Sequence, residues 1–427
     1  MTTICDPASA EPLDWTLKGV PEALYGLRGD DVAARKLRVF EDAVTFPIAT
    51  LRSAAIVANS AWMRTFTQAY GVDIAPHGKT TMAPALFEMQ RRDGAWGITA
   101  ATPQHVRAYR AFGVSRILMA NQLVGDAAIQ WVVDEINADP AFDFYCLVDS
   151  QANVAALSRI AARHARPIQV LVEVGQAGGR AGVRSLSEGL AVAEAAARAP
   201  GLSLRGVETF EGVFQTAADG QERAQRMVDL TVELARACDA ARLFDGEVLL
   251  TAGGSGFYDL AAQTLAAARL ETSWRVVLRS GCYLTHDSEM YSRLYEALRG
   301  RSATPRDIGY DLQPALEVWG LVQSHPEPGR IIVGIGKRDV GLDAHPPTPL
   351  WRVPDARGPV LPMPAGWRVT AVNDQHAFLD GPADDAPVIG DAIGFGVSHP
   401  CTTFDKWRAL LVVDDAWRVT RILRTYF

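Results

Sequence analysis

The stretch Ala75-Pro76-His77-Gly78-Lys79-Thr80 sets a lysine just beyond a short apolar run, Val72-Asp73-Ile74-Ala75. A lysine leaving the C-terminal end of a strand can point into a site. Once burial or a cationic neighbour lowers its pKa, its amine can form a Schiff base with a carbonyl. The same position also suits a solvated loop lysine, so its chemistry depends on what else the chain brings to it. Two glycine-rich segments suit an anion, Gly253-Gly254-Ser255-Gly256 and Arg279-Ser280-Gly281. Backbone N–H groups approach a phosphate closely there and Ser255 can donate, although such runs are often only turns. A third feature is Ser398-His399-Pro400-Cys401. His399 and Cys401, two apart on a segment that reads as extended, can face the same side. They could hold one zinc ion through imidazole and thiolate, with water or substrate completing the shell as at a catalytic metal. The plainer alternative is a buried cysteine beside a packing histidine.

Positioning such residues requires a frame. Between about residues 72 and 281, short apolar runs alternate with Ala-rich stretches whose apolar residues recur at three- and four-residue spacing. The runs Val72–Ala75, Trp96–Ala100, Arg116–Ala120, Phe144–Val148, Ile168–Val174, Leu204–Glu208, Glu247–Ala252 and Arg275–Leu278 read as strands. That succession predicts an α/β fold, a (β/α)8 TIM-like barrel, with an open doubly wound sheet as the alternative. In a barrel the residues after each strand gather at one face, and here these include Lys79, Asn121-Gln122, Asp149-Ser150, Glu173, Gly253-Gly254-Ser255-Gly256 and Arg279-Ser280-Gly281. Near residue 300 the helical spacing fades and Pro and Gly accumulate. Alternating runs at Leu316–Val322, Ile331–Gly334, Trp367–Val372, Ala392–Val397 and Ala409–Val413 predict a C-terminal β-rich domain. The expected division is an N-terminal segment over 1–45, the barrel over 46–300 and the β-rich domain over 301–427.

The net charge of −7 and the lack of a basic block argue against nucleic acid as a partner. No apolar window approaches the roughly 20 residues of a membrane span. The N-terminus lacks a basic stretch followed by an apolar run. Five widely spaced cysteines do not suggest a disulfide framework. These features point to a soluble, cytoplasmic protein with reduced thiols.

Pro76-His77-Gly78-Lys79-Thr80 resembles the Pro-His-x-Lys-Thr signature of the D-serine dehydratase/D-threonine aldolase family, which has the alanine-racemase-like fold, fold type III of pyridoxal-phosphate enzymes. His399-x-Cys401 resembles the metal motif of its dehydratase branch, and the similarity of order and spacing runs over roughly residues 45–415. The resemblance implies that Lys79 carries pyridoxal 5'-phosphate and that Arg180 contacts its phenolic oxygen. Gly254, Ser255, Gly281 and Cys282 would hold the phosphate, Arg279 would face the pyridine nitrogen, and His399 and Cys401 would bind zinc. Glu208 rivals Arg279 for the nitrogen. Asn373-Asp374-Gln375-His376 resembles a Glu-His-Gly segment of the β-domain, with Ala377 in place of the glycine, and His376 would orient the carboxylate or the leaving group. Thr81-Met82 replaces the usual His-Lys after the lysine motif, and Glu208-Thr209-Phe210-Glu211-Gly212 lacks the tyrosine common there.

The implied reaction is dehydration of a β-hydroxy-D-amino acid such as D-serine or D-threonine to a 2-oxo acid and ammonia, with Lys79 as the base. The resemblance also implies a homodimer acting on a small molecule. A D-threonine-type aldolase is the alternative within the class, while a racemase would need no metal. A non-catalytic pyridoxal-phosphate carrier is the alternative outside it. Cys401, a soft ligand, favours zinc and elimination over the harder ions of the aldolase branch.

Overall fold

The computed structural model describes residues 6, 7, 10–29, 31–42 and 44–427. Eight parallel strands form one sheet in the order Asp73–Ile74, Trp274–Leu278, Val248–Ala252, Leu202–Thr209, Ile168–Val174, Asp143–Val148, Arg116–Gln122 and Ile98–Ala100. The two ends of that order meet. Trp96 N–H donates to the Ile74 carbonyl at 2.8 Å, Thr99 N–H donates to the Pro76 carbonyl at 2.9 Å, and His77 bridges Thr99 in parallel. The sheet is thus a closed barrel, and the eight runs expected from the sequence are its eight strands. Parallel strands wrapped by helices are buried on both faces and read as continuous apolar runs. Val248–Ala252 is buried throughout, and so is Ile168–Val174 apart from Gln169.

The helices follow the amphipathic spacing. In Leu186–Arg198 the buried Gly189, Val192, Ala193 and Ala196 recur every three or four residues, and Ser185 Oγ caps its start by accepting from Glu188 N–H at 3.3 Å.

A second, ten-stranded sheet is built mainly from the C-terminal region. All five runs expected there are strands: Leu316–Glu327, Arg330–Val333, Arg368–Val372, Ala392–Gly396 and Ala409–Val413. Ile48–Arg52, within the span read as barrel, is instead a strand of this second sheet. It lies antiparallel to Leu316–Glu327 and parallel to Ala409–Val413. Its sequence, Ile-Ala-Thr-Leu-Arg, carries no signal of which sheet it joins, and that pairing is decided by contacts more than 250 residues away in sequence. The segment before it packs on the β-rich domain, where Leu13, Leu17, Leu24, Val32 and Phe40 cluster with Trp319 and Val353. Among the described residues no helix is long and apolar enough to cross a membrane.

Candidate active site

Lys79 lies in the short turn Gly78–Thr80, directly beyond the first barrel strand. Close packing holds that turn against the end of the eighth strand. A Cβ on Gly281 would sit 2.6 Å from the His77 carbonyl oxygen and 2.9 Å from Thr80 Oγ1, so only glycine permits this approach. Ser280 Oγ donates to the Gly254 carbonyl at 2.6 Å and ties the two glycine-rich strand ends together. Lys79, Gly253, Ser255, Arg279, Gly281 and Cys282 line one cavity of about 800 Å³. Gly254 does not line it. Its N–H donates to both carboxylate oxygens of buried Glu211, at 3.0 and 3.1 Å.

Beneath this floor lies a buried ion pair. Arg279 Nη2 donates to Glu208 Oε1 and, at 3.1 Å, to the Thr209 carbonyl, while Nη1 donates to Thr251 Oγ1 at 2.8 Å. Burial pushes the Glu208 carboxyl up to about 8, with Arg279 opposing the shift. Arg279 lines the cavity and Glu208 does not, so the two residues that competed for one role in the sequence form a pair with the guanidinium in front. Arg180 does not line the cavity. It pairs with Glu173 at 3.7 Å and stacks 4.4 Å from the ring of Phe210, which itself lines the cavity. His77 also lines it, and burial followed by the charge of Lys79 holds its imidazole well below the usual range and neutral.

The β-rich domain closes the opposite wall. His399 is extended (φ −151°) and Pro400 then starts the short helix Pro400–Phe404, so Cys401 meets His399 across a helix start and not by strand alternation. Cys401 Sγ lies 3.5 Å from Thr80 Oγ1 and 3.5 Å from Cys282 Sγ, which brings the domain onto the lysine turn. Asp343 binds His399 Nδ1 and also accepts from Thr402 Oγ1 at 2.6 Å. Burial opposes charge on His399, but hydrogen bonds and charge from Cys401 and Asp343 outweigh it and raise its pKa to about 9. The Cys282 hydrogen bond, against burial and with help from His399 and Thr80, holds the Cys401 thiol well below its usual range. His376 is elsewhere. It is exposed at the turn between Arg368–Val372 and Ala377–Asp380, where its carbonyl accepts from Asn373 N–H at 2.8 Å, and it does not line the cavity.

The site residues that sequence reasoning passed over are Asp343, Tyr291, Glu211, Arg293 and His345. Each sits on a loop or helix start whose local sequence gives no hint of its distant partner.

The donor sets can be tested against the groups they suggest. The barrel floor offers an amine, a glycine-lined seat beside a serine hydroxyl, and a buried guanidinium. His77 Nδ1, Arg279 Nε and Glu208 Oε2 are buried without hydrogen-bond partners. That set fits a flat, phosphorylated carbonyl compound such as pyridoxal phosphate. On the other wall, no three His, Cys, Asp or Glu side chains among the described residues form a ready metal cluster. Two do fit as a partial set: an imidazole with Nδ1 held by a carboxylate, which leaves Nε2 for a metal, and a thiolate beside it.

The chain is similar to known proteins over both of its domains. The alanine racemase N-terminal domain family matches residues 51–271, and the putative serine dehydratase domain family matches residues 315–413. D-threonine aldolase of an Arthrobacter species is 26% identical over 393 residues, covering 88% of this chain and 92% of that protein. D-threo-3-hydroxyaspartate dehydratase of a Delftia species is 27% identical over 394 residues, covering 85% and 93%. The crystal structure of D-threonine aldolase from Filomicrobium marinum superposes with a TM-score of 0.75 at 21% identity, covering 90% and 95%.

The barrel, its strand-end lysine and the appended β-rich domain define a pyridoxal-phosphate-dependent enzyme of the lyase class. The chain belongs to the alanine-racemase-like family that carries a serine dehydratase-type domain, the D-serine dehydratase/D-threonine aldolase family.

Proposed function

We propose that this enzyme eliminates water from β-hydroxy-D-amino acids such as D-serine or D-threonine, giving a 2-oxo acid and ammonia, with pyridoxal phosphate at Lys79 and zinc at His399 and Cys401. The observation that carries the reading is that Cys401 Sγ, beside His399, lies 3.5 Å from the hydroxyl of Thr80, the residue next to Lys79. A base and a metal seat therefore face one cavity.

The cofactor, when bound, supplies the electron sink that a protein alone lacks. Ser255 and the backbone N–H groups of Gly281 and Cys282 would hold its phosphate, Arg279 would face its ring nitrogen, and Arg180 would contact its phenolic oxygen. Glu208 keeps the guanidinium in place by accepting from its Nη2. Lys79 Nζ takes the Cα proton, and neutral His77 beside it adds no competing positive charge. Zinc at His399 and Cys401 would act as a Lewis acid toward the departing β-hydroxide. Asp343 fixes the imidazole tautomer, so that Nε2 and the Cys401 thiolate face the same substituent. Loss of the Cα proton and the β-hydroxide leaves an enamine, which takes up water and releases ammonia.

Retro-aldol cleavage is the second reading. It is favoured by the similarity to D-threonine aldolase over most of the chain. Product analysis on D-serine and D-threonine, with metal and with chelator, separates the two. Elimination gives ammonia with pyruvate or 2-oxobutanoate. Glycine with acetaldehyde from D-threonine would assign the aldolase reaction instead.

A further inference from the structure

The cavity holds two sulfurs, and the reaction above uses one. Cys401 is the proposed metal ligand, whereas Cys282 contributes only a backbone N–H. Cys282 lies just beyond the barrel strand Trp274–Leu278, and Cys401 lies in the short helix Pro400–Phe404 of the β-rich domain. The two are 119 residues apart in sequence, yet their sulfurs are 3.5 Å apart where the domains meet. The Thr80 hydroxyl lies 3.5 Å from Cys401 Sγ and 3.9 Å from Cys282 Sγ, so both side chains turn toward the lysine turn.

Both cysteines line the cavity, and a small solute that enters it meets both sulfurs. Cys282 is buried and Cys401 half-buried, so Cys401 is met first. Cys146 and Cys238 are buried in the barrel strand Asp143–Val148 and the helix Gly220–Ala240, and neither lines the cavity. A disulfide sets its sulfurs about 2.05 Å apart, so the pair has to close by roughly 1.5 Å from its present separation. The Cys401 helix is short and borne on a loop, and the approach falls to it.

We propose that Cys282 and Cys401 are a redox-active dithiol, which hydrogen peroxide converts to a disulfide joining the barrel to the β-rich domain. Cys401 Sγ attacks one peroxide oxygen. The O–O bond breaks, Cys401 becomes a sulfenic acid, and the other oxygen leaves as water with the thiol proton. Cys282 Sγ then attacks the Cys401 sulfur. The S–S bond forms, the S–O bond breaks, and a second water leaves with the Cys282 proton. The two sulfurs lose two electrons, and the peroxide gains them. A dithiol such as dithiothreitol reverses the bridge by exchange. The bridge also takes Cys401 out of use as a metal ligand, since a thiolate is needed for that. This consequence rests on the reading of Cys401 as a zinc ligand; the bridge itself does not.

The test treats chelator-stripped holoenzyme with hydrogen peroxide, alkylates the remaining thiols and digests without reduction for mass spectrometry. The expected product is a peptide pair joined through Cys282 and Cys401, with Cys146 and Cys238 alkylated, and dithiothreitol separates the pair. In Cys282→Ala the joined pair is absent and Cys401 goes on to sulfinic acid, which dithiothreitol does not reverse. Sulfinic Cys401 beside an alkylated Cys282 in the parent would overturn the proposal, as would joining of either residue to another cysteine. The parent decides this alone if Cys282→Ala does not fold. Zinc affinity of the bridged parent, read with a chromogenic chelator, should fall by ~10-fold or more, because losing a ligand costs at least as much as losing the partner of one. A bridged protein with unchanged zinc affinity would support the bridge and remove Cys401 from the metal seat.

Discussion

The two walls of the cavity are held by different physics. The barrel wall rests on a dry pair: Arg279 is 1% exposed and Glu208 fully buried, and the guanidinium bonds to neighbouring strand ends. The β-domain wall is borne on loops around Ala392–Gly396 and Thr348–Val353, and the side chain of Asp343 is 47% exposed. A buried wall keeps its charges in one geometry because leaving them unpaired is costly. A half-exposed wall can change residues at little cost to folding. The proposed cofactor seat therefore rests on the buried frame, and the proposed metal seat rests on the loops.

Substitutions can break that contrast, from the largest effect to the smallest. Lys79→Ala should lower turnover by ~10^4-fold or more, since it removes both the cofactor linkage and the base, and steady-state kinetics with matched circular dichroism checks this. Glu208→Ala should destabilise the fold by about 3–5 kcal/mol, because a buried guanidinium loses its partner. Urea unfolding reads that cost directly, and a change below about 1 kcal/mol would end the distinction between the walls. Cys401→Ser should lower turnover by on the order of 10^2-fold through the metal while leaving cofactor absorbance and the urea midpoint near those of the parent. Asp343→Asn should weaken zinc binding by about 10–100-fold with little change in stability, as competition with a chromogenic chelator would show.

The same contrast sets what the sequence reveals. Barrel strands are buried on both faces, so Ile168–Val174 and Val248–Ala252 announce themselves as apolar runs, and the residue after each run lands at the active face. That Lys79, Ser255, Arg279 and Gly281 line one cavity is legible for that reason. The pairing of Arg279 with Glu208 is not, because two strand-end residues facing one another look the same as two rivals for one ligand atom. Asp343 lies 56 residues from His399, in a loop with no periodicity, and only the docking of that loop brings them together. His376 shows the opposite case. A motif-like segment placed it at the chemistry, whereas the local hairpin bonding of Asn373 and His376 sets it at an exposed turn. Ile48–Arg52 was assigned by position along the chain, and its strand partners, far away in sequence, decide otherwise.

The central claim is that a metal at His399 and Cys401 works with Lys79 across one cavity. The most direct measurement is zinc titration of chelator-stripped holoenzyme, following ammonia and 2-oxo acid together. The account expects almost no product without metal, a rise that saturates at one zinc per chain with equal amounts of the two products, and no such rise in Cys401→Ser. Full elimination by the stripped enzyme, or unchanged zinc-dependent turnover in Cys401→Ser, would contradict it.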